Sequence, residues 1–142
     1  MKRLFYVMIV ATGLLVVGCS KAGGGSEDED LNAVDNSDDV FPVIAVSKPT
    51  ANQVYTSGDS IIVEGKVTDD KKMYKGKVQI KNDVSGFVVA DAYYETHILS
   101  AINFRVAYRT YATSPTDFSV LLEFQDHGLN TSTAIIKVKV NP

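Results

Sequence analysis

The stretch FSVLLEFQ, residues 118–125, decides the fold because apolar and polar side chains alternate along it. Apolar side chains hold its even-numbered positions, and polar ones hold all but one of its odd-numbered positions. Successive side chains of a β-strand point to opposite faces of the sheet. This period of two therefore predicts a strand with one face in an apolar core and the other in water.

Four other stretches repeat the alternation, and two shorter apolar runs accompany them. The alternating stretches are residues 61–67, 77–81, 104–109 and 136–140, and the apolar runs are 43–46 and 86–90. Segments rich in Gly, Pro, Asn and Asp separate them, as turns require. No window has a convincing helical period, although residues 91–101 have room for a short turn of helix. The sequence predicts an all-β sandwich of about seven strands in two sheets.

The first nineteen residues have the layout of a secretory signal sequence. Lys2 and Arg3 precede fourteen uncharged residues, 4–17, and then Gly18 and Cys19. At about 1.5 Å per residue, that run is too short for a helix that stays in the bilayer, which needs roughly 20 residues. Cys19 is the single cysteine of the chain, so it has no partner for an internal disulfide. We expect an exported protein from which residues 1–18 are removed.

Val16-Val17-Gly18-Cys19 resembles the lipobox of bacterial lipoproteins, with Val16 where leucine is usual. The resemblance implies cleavage after Gly18, a diacylglycerol on the Cys19 sulfur and a further acyl chain on its amine. Two or more acyl chains make a lasting anchor, because each buried methylene contributes about 0.8 kcal/mol. The implied location is the outer membrane of the cell envelope, with the bilayer as a partner through the lipid. The alternative is an ordinary signal peptide that has a cysteine near its end.

Residues 20–40 carry seven acidic side chains and one lysine, with three consecutive glycines at 23–25. Such a stretch buries too little apolar surface to offset the entropy of ordering, so we expect a flexible spacer. The predicted division is a signal peptide, 1–18, a lipidated cysteine with a flexible acidic linker, 19–40, and one domain, 41–142. The acidic stretch also resembles the export signal of surface lipoproteins in the Bacteroidetes group. A merely solvated spacer is the alternative, so periplasmic and surface locations both stay open.

The domain itself is close to neutral, with ten acidic and eleven basic residues after residue 40. The net charge of −3 for the whole chain therefore comes from the spacer. Nucleic acid is not predicted as a partner, because the domain lacks the basic excess that suits a phosphate backbone.

Two parts of the domain resemble bacterial immunoglobulin-like modules. The front half does so through residues 42–46, Lys48-Pro49-Thr50 and residues 55–70, and the back half through residues 118–126 followed by Gly128, Asn130 and Val138. The resemblance implies one immunoglobulin-like β-sandwich over residues 41–142, of the kind found in Bacteroidetes lipoproteins. It specifies a fold and no activity.

A calcium site is the sharpest chemical hypothesis, and its candidate ligands are Asp69, Asp70, Asp126 and Asn130. In an immunoglobulin-like sandwich, the loop after the second predicted strand and the loop before the last lie at the same end. Calcium binds such oxygen ligands in groups of about six to eight, so backbone carbonyls or waters would complete the shell. The alternative is that Asp and Asn occur there because they stabilise turns. No other cofactor is predicted.

The chain has no recognisable catalytic motif, and we predict that it is not an enzyme, with a hydrolase as the rival class. His97 and His127 stand thirty residues apart with no zinc-site pattern, so we interpret them as unrelated loop residues. Glu64 and Glu123 are expected to point to solvent from alternating strands, which implies no cleft between paired carboxylates.

Tyr93, Tyr94 and Tyr111 are the candidate ligand-binding residues, because they flank the long segment between the fourth and fifth predicted strands. Aromatic faces beside polar groups suit sugar rings or a protein surface, although the absence of tryptophan weakens the sugar version. Simple burial of these tyrosines is the alternative. We predict a binding or structural module with a protein or glycan partner. The alternative function is a subunit of a surface glycan-uptake or pilus assembly, joined through an exposed edge strand.

The implied fold also sets an orientation. The N-terminus of the domain would emerge at the end that carries Asp69, Asp70 and Asp126, nearest the membrane. The opposite end, with residues 57–59, 114–117 and Pro142, would face outward, where we expect partners to bind.

Overall fold

The computed structural model describes residues 30–142 of the chain. The predicted signal peptide, the lipobox with Cys19 and the first part of the predicted linker lie outside the described residues. No helix in the described part is both long enough and apolar enough to cross a bilayer.

Residues 43–141 contain eight β-strands, and residues 30–142 contain no helix. The strands are β1 (Val43–Lys48), β2 (Gln53–Thr56), β3 (Ser60–Thr68), β4 (Met73–Asn82), β5 (Val88–Glu95), β6 (Ala101–Arg109), β7 (Thr116–Asp126) and β8 (Thr131–Asn141).

The strands divide between two sheets. One sheet has the order β1-β3-β6, and the other has the order β2-β8-β7-β4-β5. All neighbouring strands are antiparallel except β2, which runs parallel to β8. The chain therefore crosses repeatedly from one sheet to the other, and strands that are distant in sequence become neighbours. This arrangement is an immunoglobulin-like β-sandwich, which confirms the predicted all-β fold class.

β7, which contains FSVLLEFQ, pairs with β4 on one side and with β8 on the other. The apolar side chains at its even-numbered positions are all buried, as the period of two predicts. They belong to one core cluster with inward side chains of the smaller sheet, among them Ile61, Val63, Val67, Ile102, Phe104 and Val106. Burial of this apolar surface, at about 25 cal/mol per Å², is the main force that holds the two sheets together.

Two strand glycines make room for two rings of the core. Gly65 on β3 lies opposite Phe104 on β6, and Gly76 on β4 lies opposite Phe124 on β7. A Cβ atom at either glycine would overlap the ring that faces it. The rings of Phe104 and Phe124 stack on each other with centroids 5.5 Å apart, so they join the two sheets.

The structure differs from the prediction in the number of strands and between residues 91 and 115. The eighth strand is β2, whose four residues are too few to show an alternation. The predicted short turn of helix at 91–101 is wrong, because β5 continues to Glu95 and β6 begins at Ala101. The expected long connection between the fourth and fifth predicted strands is thus mostly strand, and only residues 96–100 link β5 to β6.

Residues 30–40, which the sequence assigned to a flexible linker, lie against one end of the sandwich. Asp35 N donates a hydrogen bond to His127 O at 2.8 Å, and Asn130 Nδ2 donates to Asp38 O at 3.0 Å. Asp38 is buried. This part of the predicted linker is therefore hydrogen-bonded to the domain, because its backbone and acidic side chains find partners in the loops. The domain boundaries themselves stay a prediction.

Candidate functional site

The chain enters the sandwich at an end that we call the entry end, formed by residues 30–40 with the loops 69–72, 96–100 and 127–130. Backbone hydrogen bonds join these loops: Asp69 N donates to Ser100 O at 2.9 Å, and His127 N donates to Lys72 O at 3.1 Å. Three candidate ligands, Asp69, Asp70 and Asp126, lie at this end, as the implied orientation requires.

Asp69 and Asp70, two of the predicted calcium ligands, lie beside Asp38. One carboxylate oxygen from each of the three residues lies within 4.8 Å of the others. Burial raises the pKa of Asp69, and the neighbouring carboxylates of Asp126, Asp38 and Asp70 raise it further, against the hydrogen bond from Lys71 N. The entry end therefore gathers carboxylates whose negative charges, together with burial, hold the pKa of Asp69 above its ordinary value.

Asp126 and Asn130, the other two predicted ligands, bond to each other instead. Asp126 Oδ1 accepts from Asn130 N at 2.9 Å, and Asp126 Oδ2 accepts from Asn130 Nδ2 at 3.0 Å. These bonds close the β7–β8 loop, in which Leu129 has a left-handed φ of 66°. Asp126 and Asn130 thus stabilise a turn, as the alternative to the calcium hypothesis expected. Sequence reasoning missed Asp38, and its only signal was the acidic composition of the segment before β1.

One oxygen of Asp38 and one of Asp69 are buried, and neither has a hydrogen-bond partner within residues 30–142. The other oxygen of each carboxylate fixes its own loop. Asp38 Oδ1 accepts from Val40 N at 3.2 Å, and Asp69 Oδ2 accepts from Lys71 N at 3.0 Å. The site therefore holds two buried acceptors, Asp38 Oδ2 and Asp69 Oδ1, that are available to a ligand.

The two histidines also come together at the entry end, so their interpretation as unrelated loop residues is wrong. The ring centroids of His97 and His127 are 5.3 Å apart, and Tyr74 lies 5.4 Å from the first and 5.2 Å from the second. His127 Nδ1 donates to Ala33 O at 3.2 Å, and His97 Nε2 lies 3.4 Å from Glu95 Oε1. The β5–β6 link and the β7–β8 loop bring the rings together beside Tyr74 on β4, which sequence spacing does not reveal.

The opposite end, which we call the outer end, consists of the loops 57–59, 83–87 and 110–117. Gly58 N donates to Thr110 O at 2.9 Å, and Asp83 N donates to Asp117 O at 3.0 Å. Ser57 N donates to Asn141 O at 2.7 Å, which places the C-terminus at the same end. Residues 57–59, residues 114–117 and the C-terminus are the parts that the implied orientation put far from the N-terminus, and the loop 83–87 joins them.

An exposed apolar pair projects from the outer end, and sequence reasoning missed it. Val84 and Phe87 are 77% and 73% exposed in the turn between β4 and β5, and we call this pair the hydrophobic tip. Asn82 Oδ1 accepts from Val84 N at 2.9 Å and from Ser85 N at 3.0 Å, and Asn82 N donates to Phe87 O at 2.9 Å. The turn is therefore well hydrogen-bonded while it presents apolar side chains to solvent.

A partly buried polar network fixes the base of that turn. Ser119 Oγ donates to Asp83 Oδ1 at 2.6 Å, and Lys137 Nζ donates to Asp83 Oδ2 at 2.8 Å. Burial acts to raise the pKa of Asp83, but the bonds from Lys137 and Ser119, together with the charges of Lys137 and Lys81, leave it lowered. The Asp83 carboxylate is thus ionised at neutral pH and ties the turn to β7 and β8.

The structure does not bring the three predicted ligand-binding tyrosines into one groove. Tyr94 packs against Phe124 with centroids 6.0 Å apart, and its hydroxyl accepts from Arg105 N at 3.2 Å. Tyr93 is 71% exposed on β5 and lines a groove together with Tyr94, Lys75, Lys77, Glu95, Glu123 and Gln125. Tyr111 is 75% exposed at the outer end. Their role in ligand binding stays a prediction.

The two glutamates considered for hydrolysis lie in different sheets. Glu64 accepts from Arg105 Nε at 2.9 Å and lies 3.2 Å from Lys48 Nζ, and these bonds lower its pKa. Glu123 lies 3.3 Å from Lys77 Nζ. Each carboxylate therefore has a cationic partner and stands apart from the other.

The chain matches no protein-family model and no curated protein sequence. Its fold is similar to several solved structures. Fibronectin(III)-like modules of Clostridium thermocellum CbhA share 12% identity, with 69% of this chain and 94% of that chain covered and a TM-score of 0.44. Murine CRIg shares 7% identity, with coverages of 72% and 98% and a TM-score of 0.41. A Niemann-Pick type C2 protein from the Japanese carpenter ant shares 11% identity, with coverages of 72% and 90% and a TM-score of 0.41.

The strand order defines the class of protein. It is an immunoglobulin-like β-sandwich module. Because one fold serves many functions, any more specific function has to be argued from the two ends of the molecule.

Proposed function

We propose that the protein is a lipid-anchored cell-envelope module that binds a protein partner through its outer end. Acyl chains on Cys19 hold the chain in the membrane, and the lipobox supports this anchor. Residues 30–40 join the sandwich at the entry end. Strand β4, with ten residues at about 3.3 Å each, separates the entry end from the outer end by roughly 33 Å. The outer end therefore lies on the side away from the anchor.

The observation that carries the proposal is the hydrophobic tip. Val84 and Phe87 stay exposed on a turn that Asn82 holds by four hydrogen bonds, so they do not need a conformational change to meet a partner. Pre-ordered apolar and aromatic side chains fit the pockets that dominate protein interfaces. Tyr111, whose ring lies 6.0 Å from the Arg109 guanidinium, adds a second exposed aromatic group at the same end.

Photo-crosslinking in cells tests the proposed contact. A photoreactive amino acid replaces Phe87 in the full chain, and the matched control replaces Thr131, which is exposed at the opposite end of the sandwich. We expect a defined protein adduct from position 87 and none from position 131. A Val84→Ser change in the first protein should lower the adduct several-fold. Adducts of equal yield from both positions would contradict the proposal.

A second candidate function is a subunit of an envelope assembly, such as a glycan-uptake complex or a pilus. Strand β5 favours it, because β5 is the last strand of the larger sheet and pairs only with β4 among the described strands. A neighbour can add a strand to such an edge. A photoreactive residue in place of Asp91, in the middle of β5, distinguishes the two functions: adducts from position 91 and none from position 87 favour assembly.

A further inference from the structure

We propose that Asp38, Asp69 and Asp70 bind a calcium ion at the entry end, and that this ion fastens residues 30–40 to the sandwich. The proposal goes beyond the proposed function, because it concerns the end opposite the partner surface. It stands or falls independently of what the hydrophobic tip binds.

The spacing of the three carboxylates fits one ion. Calcium lies about 2.3–2.6 Å from its oxygen ligands, so two ligands of one ion can be up to about 5 Å apart. One oxygen from each of Asp38, Asp69 and Asp70 lies within 4.8 Å of the others. A single position between them can therefore contact all three residues.

Two of these residues each bury an oxygen that lacks a partner in residues 30–142. Asp38 is 7% exposed, and its Oδ2 has no hydrogen-bond donor; the same is true of Asp69 Oδ1. A buried carboxylate oxygen without a donor or a counter-charge is costly, so native proteins satisfy nearly all such atoms. A cation at the cluster supplies a positive partner to the two carboxylates that hold these oxygens.

The cationic group of Lys71 is close, but it is engaged elsewhere. Lys71 Nζ donates to Asp35 Oδ2 at 3.0 Å and to Ser37 Oγ at 3.1 Å. It moderates the charge of Asp38 and Asp70 without a hydrogen bond to either buried oxygen. A site of three carboxylates therefore keeps a net negative charge that a divalent cation neutralises.

The donor set selects a hard cation. All three side chains offer carboxylate oxygen, which suits calcium and magnesium, whereas zinc and copper favour sites with imidazole or thiolate. Calcium tolerates irregular geometry and completes a shell of about six to eight oxygens with backbone carbonyls and waters, whereas magnesium requires a near-ideal octahedron. Three carboxylates from two separate segments match calcium better.

The ligands come from two parts of the chain, so a bound ion links these parts to each other. Asp38 precedes β1, whereas Asp69 and Asp70 follow β3. An ion held by all three therefore crosslinks the N-terminal segment to the β3–β4 loop and stabilises that docked state by mass action. Calcium concentration would then control whether residues 30–40 stay docked on the sandwich.

Calorimetric titration and thermal unfolding of the full chain in detergent, freed of metal by a chelator, test the site. We expect calcium to bind with one ion per chain and to raise the unfolding midpoint. Asp38→Asn keeps an acceptor at Oδ1 for Val40 N but removes the charge, so it should weaken calcium binding at least tenfold. Asp91→Asn, on an exposed residue of β5, is the matched control and should bind as the wild type does.

The sign of the change in unfolding temperature distinguishes a calcium-binding role of Asp38 from a role in its turn alone. Without metal, Asp38→Asn should unfold at the same or a higher temperature than the wild type, because it relieves the repulsion between Asp38 and Asp69. With calcium, the order should reverse. An equal loss of midpoint with and without calcium assigns Asp38 to its turn alone and overturns the proposal. A shift that sodium chloride of matched ionic strength reproduces, or no shift at millimolar calcium, also overturns it.

A glycine variant tests the geometry without changing a carboxylate. A Cβ at Gly128 would lie 2.7 Å from both Asp38 Cβ and Asp38 O, so Gly128→Ala should push Asp38 away from the cluster. We expect weaker calcium binding together with faster proteolysis within residues 30–40, while the β-sheet circular dichroism is kept. Unchanged calcium affinity in a folded Gly128→Ala protein would contradict the site.

Discussion

The rings of Phe104 and Phe124 show how single residues set the spacing of this sandwich. Each ring occupies the place where a side chain would stand on the opposite strand, at Gly65 and at Gly76. A glycine within a strand usually weakens it, because it adds no packing of its own. Here the facing ring covers the glycine, and the loss is offset by the contact between the two sheets.

Gly76→Ala is predicted to destabilise the protein by about 1–3 kcal/mol, because Phe124 is fully buried and a Cβ at residue 76 would overlap its ring. Urea unfolding measures the change. Thr133→Ala, an exposed change on β8, is the control and should stay within about 0.5 kcal/mol of the wild type. A similar loss in both variants would show that the ring is not the cause.

Asp83→Asn is predicted to lower stability at neutral pH by about 1–2 kcal/mol, because Ser119 and Lys137 lose a charged acceptor. The folded pKa of Asp83 lies below its ordinary value of 3.8, so the stabilisation is complete above that value and is lost as the pH falls through the folded pKa. Urea unfolding at pH 7 and at pH 3 should therefore show a smaller difference between variant and wild type at the lower pH. An equal difference at both values would contradict this assignment.

At the scale of elements, strands with a long period of two were predictable, and short or weakly alternating ones were not. The alternation of β7 allows only one register, because a shift of one residue would turn Phe118, Val120 and Phe124 to water. β2 is recognisable only through its pairing with β8, and pairing between distant segments leaves no local pattern. The end of β5 was missed because its alternation uses alanine and tyrosine, which favour no single environment.

The candidate cation site was likewise predictable from the sequence only in part. Asp69 and Asp70 could be placed from the sequence, because the loop that follows a strand lies at a known end of the fold. Asp38 could not, because its position depends on the packing of a polar segment against Gly128 and Asn130. The contact between His97 and His127 likewise depends on two loops that meet only in the folded molecule.

The turn between β4 and β5 is predicted to depend on one side chain. Asn82→Ala removes the acceptor of Val84 N and Ser85 N, so it should cost about 1 kcal/mol and loosen the hydrophobic tip. Amide hydrogen exchange measures this directly, with faster exchange expected at residues 84–87 and no change in β7. Unchanged exchange at 84–87 would mean that the turn is held by its backbone bonds alone.

At the scale of the whole molecule, the two ends have different chemistry. The entry end gathers buried carboxylates, histidines and the N-terminal segment, whereas the outer end presents exposed apolar and aromatic side chains. The five-stranded and three-stranded sheets between them form one core and act as a spacer of fixed length. This polarity favours a module that is held at one end and binds at the other.

The proposal that the module is held at one end depends on the lipid anchor, and one measurement tests the anchor most directly. Cells that express the full chain are grown with a labelled fatty acid, and the protein is isolated beside its Cys19→Ser variant. The account predicts label in the wild type, recovered with the membranes, and no label in the variant. A wild-type protein that is exported but carries no label, or a variant that keeps it, would contradict the account.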